Sequence, residues 1–186
     1  MSKSYKNVQV GTVPKYGKRA KAVFANEDIS AGEVIAVFSG DIISFDECIE
    51  RIRAGKEEQA DSLQVGFELD MDLDRLSNSF NHSCDPNAGH RKISELIAIR
   101  DIKKGEEITY DYSATIGPNV TSDVWTMECS CGTKKCRQII SNVLSVPKNQ
   151  LQKYRKIGAL QDYIMRELEI IRLNGGVPPK YKKIKI

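Results

Sequence analysis

The sequence predicts a mostly β domain with a small α-helical complement, and three features carry that prediction. Short apolar, β-branched runs are broken every few residues by Gly, Pro, Asn and Asp. One brief helix signature interrupts them. A single amphipathic stripe follows near the C-terminus. At 186 residues the chain can bury a real core as one domain. No apolar run approaches the ~18 residues of a membrane span, and Met1-Ser2-Lys3-Ser4-Tyr5-Lys6 leads into no apolar signal segment. An intracellular, reducing setting is therefore expected, with no membrane partner. There, five cysteines, three of them clustered, point to metal and not to disulfides. A net charge of +3 is too small to indicate nucleic acid, and the basic ends, Lys3 to Lys21 and Lys180 to Lys185, read as solvated arms.

Taken in order, Val8 to Val13 and Ala20 to Ala25 read as strands, turning at Tyr16-Gly17-Lys18. Asp28-Ile29-Ser30-Ala31-Gly32-Glu33 recurs as Asp101-Ile102-Lys103-Lys104-Gly105-Glu106, one Gly-centred turn used twice. Ser44-Phe45-Asp46-Glu47 is a capping box, and Phe45, Cys48, Ile49 and Ile52 share the apolar face of the helix behind it, ending near Gly55. Cys48 thus reads as a buried structural thiol. Leu63 to Leu73 and Glu95 to Arg100 supply further short strands, while Asn87-Ala88-Gly89-His90 reads as a surface loop. Lys148 to Leu173 is helical with a break near Gly158. Leu160, Tyr163, Ile164, Leu168 and Ile171 form a stripe that packs on the domain itself, and Asn174-Gly175-Gly176 ends it.

The chemistry concentrates in three stretches. Asn81-His82-Ser83-Cys84-Asp85-Pro86-Asn87 is a polar turn, where a His and a Cys are available for chemistry. Gly105 to Tyr112 is the second, and Cys129-x-Cys131-x4-Cys136 the third. Three soft ligands so close together call for a fourth to complete a tetrahedral zinc site. The candidates are Cys48, Cys84, His82 and His90; Cys48 is committed to its helix face, and Cys84 is the best choice on chemistry.

Together, Asn81-His82-Ser83-Cys84-x-Pro86-Asn87, Gly105-Glu106-Glu107-Ile108-Thr109-Tyr110-Asp111-Tyr112 and the cysteine signature ending Cys136-Arg137 resemble the SET-domain protein lysine methyltransferases, over roughly residues 20–140. Trp125 to Glu128 and Pro147 to Tyr163 look like the compact stand-alone members, such as those of bacteria. The resemblance implies a fold of several small β-sheets in which the Tyr112 segment threads beneath the Asn81 loop as a pseudoknot, with a post-SET zinc module and a C-terminal helix. It implies an N-terminal arm at 1–19, the SET domain at 20–115, the zinc segment at 116–140 and a helix with basic tail at 141–186. It also assigns the fourth zinc ligand to Cys84.

Carried over by motif, Asn81 and His82 would bind S-adenosylmethionine, His82 through its backbone, with a turn at Arg19, Ala20 and Lys21 holding the methionine end. Tyr112 would be the active-site tyrosine, also touching the cofactor, and Tyr110 would influence how many methyl groups are added. Mono- or dimethylation is the expected outcome, on a protein or peptide presenting a lysine, such as a histone, DNA-binding or ribosomal protein. Direct nucleic-acid binding is not expected. The chain departs from the family pattern at Ala20-Lys21-Ala22, where glycines are usual, at Asn78-Ser79 in place of Arg-Phe, at Gln138, and near Ser62, where a channel tyrosine is absent. That last departure leaves one wall of the lysine channel undefined. The departures motivate a second reading, an inactive SET domain that binds peptides or partners.

Overall fold

The computed structural model describes residues 7–15, 18–56 and 61–179, and side chains 15, 18 and 19 lie outside that description. The turn expected at Tyr16-Gly17-Lys18 and the basic residues 3–6 and 180–185 lie wholly or partly outside the described residues. In chain order the strands are β1 (Val8–Lys15), β2 (Lys18–Ala25), β3 (Val34–Val37) and β4 (Gly40–Ser44), then helix α1 (Phe45–Arg53). Next come β5 (Ser62–Gly66), β6 (Leu69–Leu73), β7 (Asn81–His82), β8 (Ala88–Arg91), β9 (Glu95–Ala98) and β10 (Thr109–Tyr110). The chain continues with β11 (Met127–Glu128), β12 (Ile139–Ile140), α2 (Lys148–Lys156) and α3 (Asp162–Leu173). These strands form five small sheets: β1-β2, β4-β6-β5, β3-β9-β8, the parallel pair β10-β7, and β11-β12.

The local signals act as physics dictates. Ser44 accepts a hydrogen bond from the Glu47 amide at 3.1 Å and starts α1. Leu63 to Leu73 is a hairpin of two strands, reversed at Glu68, which adopts φ 57°. The C-terminal stripe is buried throughout, from Leu160 to Ile171, so it packs on its own domain.

The repeated turn has a structural purpose that neither copy reveals alone. Ile29 and Ile102 pair back to back, each amide donating to the other's carbonyl at 2.9 Å. Asp101 accepts from the Ala31 amide at 2.9 Å, and Asp28 accepts from the Lys104 amide at 2.9 Å, so each copy caps the other. Gly32 and Gly105, at φ 88° and 82°, occupy the left-handed region that other residues avoid. Both isoleucines are fully buried, worth ~1.5–3 kcal/mol each, whereas the Asp28–Lys103 ion pair is exposed and screened by solvent. Apolar burial therefore holds this junction.

The junction aims the chain back at the motif loop. Ile108 donates to the Val23 carbonyl, and β10 then runs parallel to β7, Thr109 opposite Asn81 and Tyr110 opposite His82. Asn87 clamps the crossing: its side chain accepts from the Thr109 amide at 2.9 Å and donates to the Glu107 carbonyl at 2.8 Å. Segment 107–112 is thus gripped by both ends of loop 81–87, the threaded arrangement that the motif resemblance implied.

Candidate active site and metal centre

The Sγ atoms of Cys84, Cys129, Cys131 and Cys136 all lie within 4.8 Å of one another. Cys84 leaves β7 in the gripped loop, while the other three sit between β11 and β12. Cys129 is 3.8 Å from Cys84 and 3.7 Å from Cys136. A tetrahedral zinc with bonds of ~2.3 Å requires sulfur separations of ~3.8 Å, so the donor set fits that ion. Burial pushes the Cys84 and Cys129 thiols up, a cost that a bound cation reverses by stabilising thiolates. Cys131 feels the same burial, yet the Thr133 hydroxyl and backbone donors draw it down to about 6. Cys48, by contrast, faces Ser62 at 3.2 Å, away from the cluster.

Arg137 and Asp111 lock this centre to the rest of the domain. The Arg137 guanidinium lies 2.5 Å from the Asp111 carboxylate and also donates to Cys84 Sγ at 3.4 Å. Asp111 is 2% exposed; burial pushes its carboxyl up while Arg137 pulls it back down. His82 lies between the centre and the tyrosine segment. Its Nδ1 accepts from the Tyr112 amide at 3.1 Å, which leaves the proton on Nε2, 3.3 Å from Cys84 Sγ. The ring is therefore fully used inside the protein, and any ligand contact falls to the His82 backbone.

Asn81 is half-buried on the outer side. Its Nδ2 donates to the Lys21 carbonyl at 2.7 Å and to Glu107 at 2.9 Å. Among the described residues no donor reaches its Oδ1, which leaves an acceptor suited to a ligand's ammonium group. Arg19, Ala20 and Lys21 are not a turn. They lie in β2, paired with Pro14, Val13 and Thr12, because alanine where the family carries glycine keeps the backbone extended and the hairpin runs on. Lys21 still reaches the site through its carbonyl.

His90 also departs from expectation. It is not on a surface loop but in β8, 2% exposed, its ring edge-on to Phe38 at 4.6 Å and to Tyr110 at 4.7 Å. Gly89 permits this, since a Cβ there would come within 2.9 Å of Ala159. Burial lowers the His90 pKa to about 3, so it is neutral packing beneath Tyr110.

Tyr110 and Tyr112 pack against each other, ring centroids 4.8 Å apart and planes tilted by 43°. Tyr112 donates its hydroxyl to the Phe80 carbonyl at 2.9 Å, which fixes the ring. Both rings line a cavity of about 50 Å³. Because one water needs ~10–15 Å³ on this measure, the cavity has room for roughly four atoms in file. Phe45, Ile49, Ile52 and Trp125 supply an apolar wall. Polar lining comes from Ser62, Gln64 and Asp70, on β5 and β6. Gln64 and Asp70 stand directly opposite in register. Nothing in the motifs marks them, although the Asp70-Met71-Asp72 alternation in a strand was the available signal.

Asp70 is 4% exposed, and burial raises its pKa from 3.8 to about 6, with the Ser62 hydroxyl opposing the shift. A carboxyl raised on folding destabilises the folded state progressively as pH climbs from about 4 to 6, by roughly 3 kcal/mol at ~1.4 kcal/mol per unit. Asp70→Asn is therefore expected to raise stability by ~1–3 kcal/mol at pH 7.5 and by little at pH 4. Urea unfolding at both pH values checks this, and a less stable variant at pH 7.5 contradicts it.

Five small sheets, a gripped loop and a four-thiol cluster define a threaded β domain with a stapled C-terminal segment. The SET-domain profile matches residues 21–113, 93 of 186, and the chain belongs to the SET-domain family, the protein lysine methyltransferase family that its motifs resemble. Histone-lysine N-methyltransferase ASHH3 of Arabidopsis thaliana is 32% identical over 146 residues, covering 70% of this chain and 38% of that protein. The H3 lysine-36 specific histone-lysine N-methyltransferase of Homo sapiens is 32% identical over 141 residues, 66% of this chain and 5% of that protein. The chain thus spans well under half the length of these relatives. Among solved structures, Chaetomium thermophilum Polycomb Repressive Complex 2, autoinhibited and bound to S-adenosylmethionine, matches with a TM-score of 0.52 at 30% identity. That match covers 60% of this chain and 16% of the other. No described helix is long and apolar enough to cross a membrane.

Proposed function

We propose that this chain is an S-adenosylmethionine-dependent protein lysine N-methyltransferase with one structural zinc ion. The observation that carries the reading is the position of Tyr112, tied to Phe80 beside the Asn81 shelf and lining the cavity. Asn81, the His82 backbone and the Lys21 carbonyl would hold the cofactor outside; the cavity would admit the lysine from the other side. When bound, S-adenosylmethionine supplies an activated methyl group for in-line displacement by a neutral amine. The protein's task is alignment: the apolar wall excludes water, and the Tyr112 oxygen orients the amine in the cavity. The relatives' names make histones the first substrates to try and a nuclear setting the corresponding location. The same reading divides the chain into the arm, the SET domain, the zinc segment and the C-terminal helical tail at 1–19, 20–115, 116–140 and 141–186. Transfer of label from S-adenosylmethionine to lysine, across histones, small basic DNA-binding proteins and ribosomal proteins, tests it.

Burial holds the Tyr110 phenol well above its usual pKa, so it stays a neutral hydroxyl at the cavity. Such a group can hold a water where a methylated nitrogen would need space, which supports mono- or dimethylation. Tyr110→Phe is expected to move products toward trimethyl-lysine by mass spectrometry; a wild type already making mainly trimethyl-lysine contradicts this.

The paired strand at Arg19 to Lys21 favours one other reading, a SET domain that no longer transfers methyl groups and acts as a binding module. Calorimetry with S-adenosylmethionine separates the two, since a folded protein that ignores the cofactor supports the module.

A further inference from the structure

The polar lining of the cavity, at Ser62, Gln64 and Asp70, is where this chain lacks the family's tyrosine, and it holds an unusual group. Asp70 Oδ1 accepts from the Ser62 hydroxyl at 3.2 Å, whereas Oδ2 is buried and has no hydrogen-bond partner. Gln64, facing Asp70 across the hairpin, is tied by its Oε1 to the Gly117 amide at 2.7 Å and leaves its own Nε2 without a partner. No lysine or arginine is among the described residues lining the cavity. A buried carboxylate oxygen with no partner is costly, and Asp70 lines a cavity with room for the end of an alkylamine chain.

We propose that Asp70 is the amine-receiving group of this cavity: its free oxygen binds the ammonium of the entering lysine and takes one of its protons. This rests on the methyltransferase reading for its biological substrate, though not for the binding itself. In the proton step one N–H bond breaks and one O–H bond forms on Asp70. The electron pair stays on nitrogen, turning ammonium and carboxylate into neutral amine and carboxylic acid. A dry cavity favours that neutral pair over two charges, and the amine left behind is the form that can attack a methyl group. When the product leaves and water returns, the carboxylic acid releases its proton.

The test uses the whole 186-residue chain and Trp125, the single tryptophan in it, which lines the same cavity. Trp125 fluorescence is titrated with n-butylammonium, the chemical image of a lysine side chain, and with n-butanol, its uncharged counterpart. Wild type is expected to bind n-butylammonium roughly 10- to 100-fold more tightly than n-butanol. Asp70→Asn is expected to bind the two alike while remaining folded by circular dichroism. A merely structural Asp70 would change the unfolding temperature and leave the ammonium preference intact. Overturning results are a wild type without that preference, or an Asp70→Asn protein that keeps it. Methyl transfer is measured beside this. If wild type transfers no methyl group, the enzymatic reading falls and the fluorescence result still decides Asp70. If both proteins transfer equally well, the proton-accepting role falls alone.

Discussion

Stripping the metal from the four-cysteine centre is expected to release the chain between Trp125 and Ile140 and to lower the unfolding temperature sharply. The sheet there is only two residues long on each strand, too little to hold itself. Its apolar cover, Phe45, Val120, Trp125 and Ile140, gathers around the cysteines. Binding of structural zinc by such ligands is worth ~10–16 kcal/mol, more than the whole stability of most domains. The purified protein is expected to carry one zinc per chain. Chelation or Cys129→Ser is expected to open residues 120–140 to protease and to lose the metal. Cys48→Ser, whose sulfur faces Ser62, is expected to keep it. A chelated, metal-free protein that melts at the native temperature contradicts this.

The second large effect concerns Arg137. Asp111 is buried beside it; the Gln150 amide, 3.4 Å from the same carboxylate, and the Tyr154 hydroxyl also donate to it, but neither carries a charge. Removing one partner of a buried pair strands the other charge and costs ~3–5 kcal/mol. Arg137→Met is therefore expected to lower the melting temperature by roughly 6–20 °C for a chain of this size. The double variant Arg137→Met/Asp111→Leu is expected to recover most of that loss, because no uncompensated charge remains. Urea unfolding measures both. A single variant costing under ~1 kcal/mol shows that the pair is not desolvated as described.

The parts of this molecule legible in the sequence are those where one local rule acts alone. The Ser44 cap, the break at Gly158 and the buried stripe of α3 follow from spacing and turn chemistry, and each stands in the structure as expected. The two Asp-Ile-x-x-Gly-Glu turns were visible as a repeat. Their mutual pairing was not, since it joins residues 73 positions apart through a contact that no periodicity encodes. His90 was hidden for a related reason: a polar residue in an Ala-Gly context looks like a loop until Phe38 and Tyr110 close over it. Arg19 to Lys21 were expected to turn, by the family's pattern, where this chain's alanine extends the strand. Motif positions located the cysteines and tyrosines. The cavity wall at Ser62, Gln64 and Asp70 arises from the register between two strands, and register is invisible in a motif.

The central claim is that Tyr112 sits where a bound cofactor meets a lysine. It is tested most directly by methyl transfer to lysine from labelled S-adenosylmethionine, comparing wild type with Tyr112→Phe at equal zinc content. Label on lysine is expected in the wild type, with a loss of ~10²–10³-fold in the variant, the usual effect of removing one positioned hydrogen-bond donor from a reaction site. Equal transfer by both zinc-loaded proteins would contradict it.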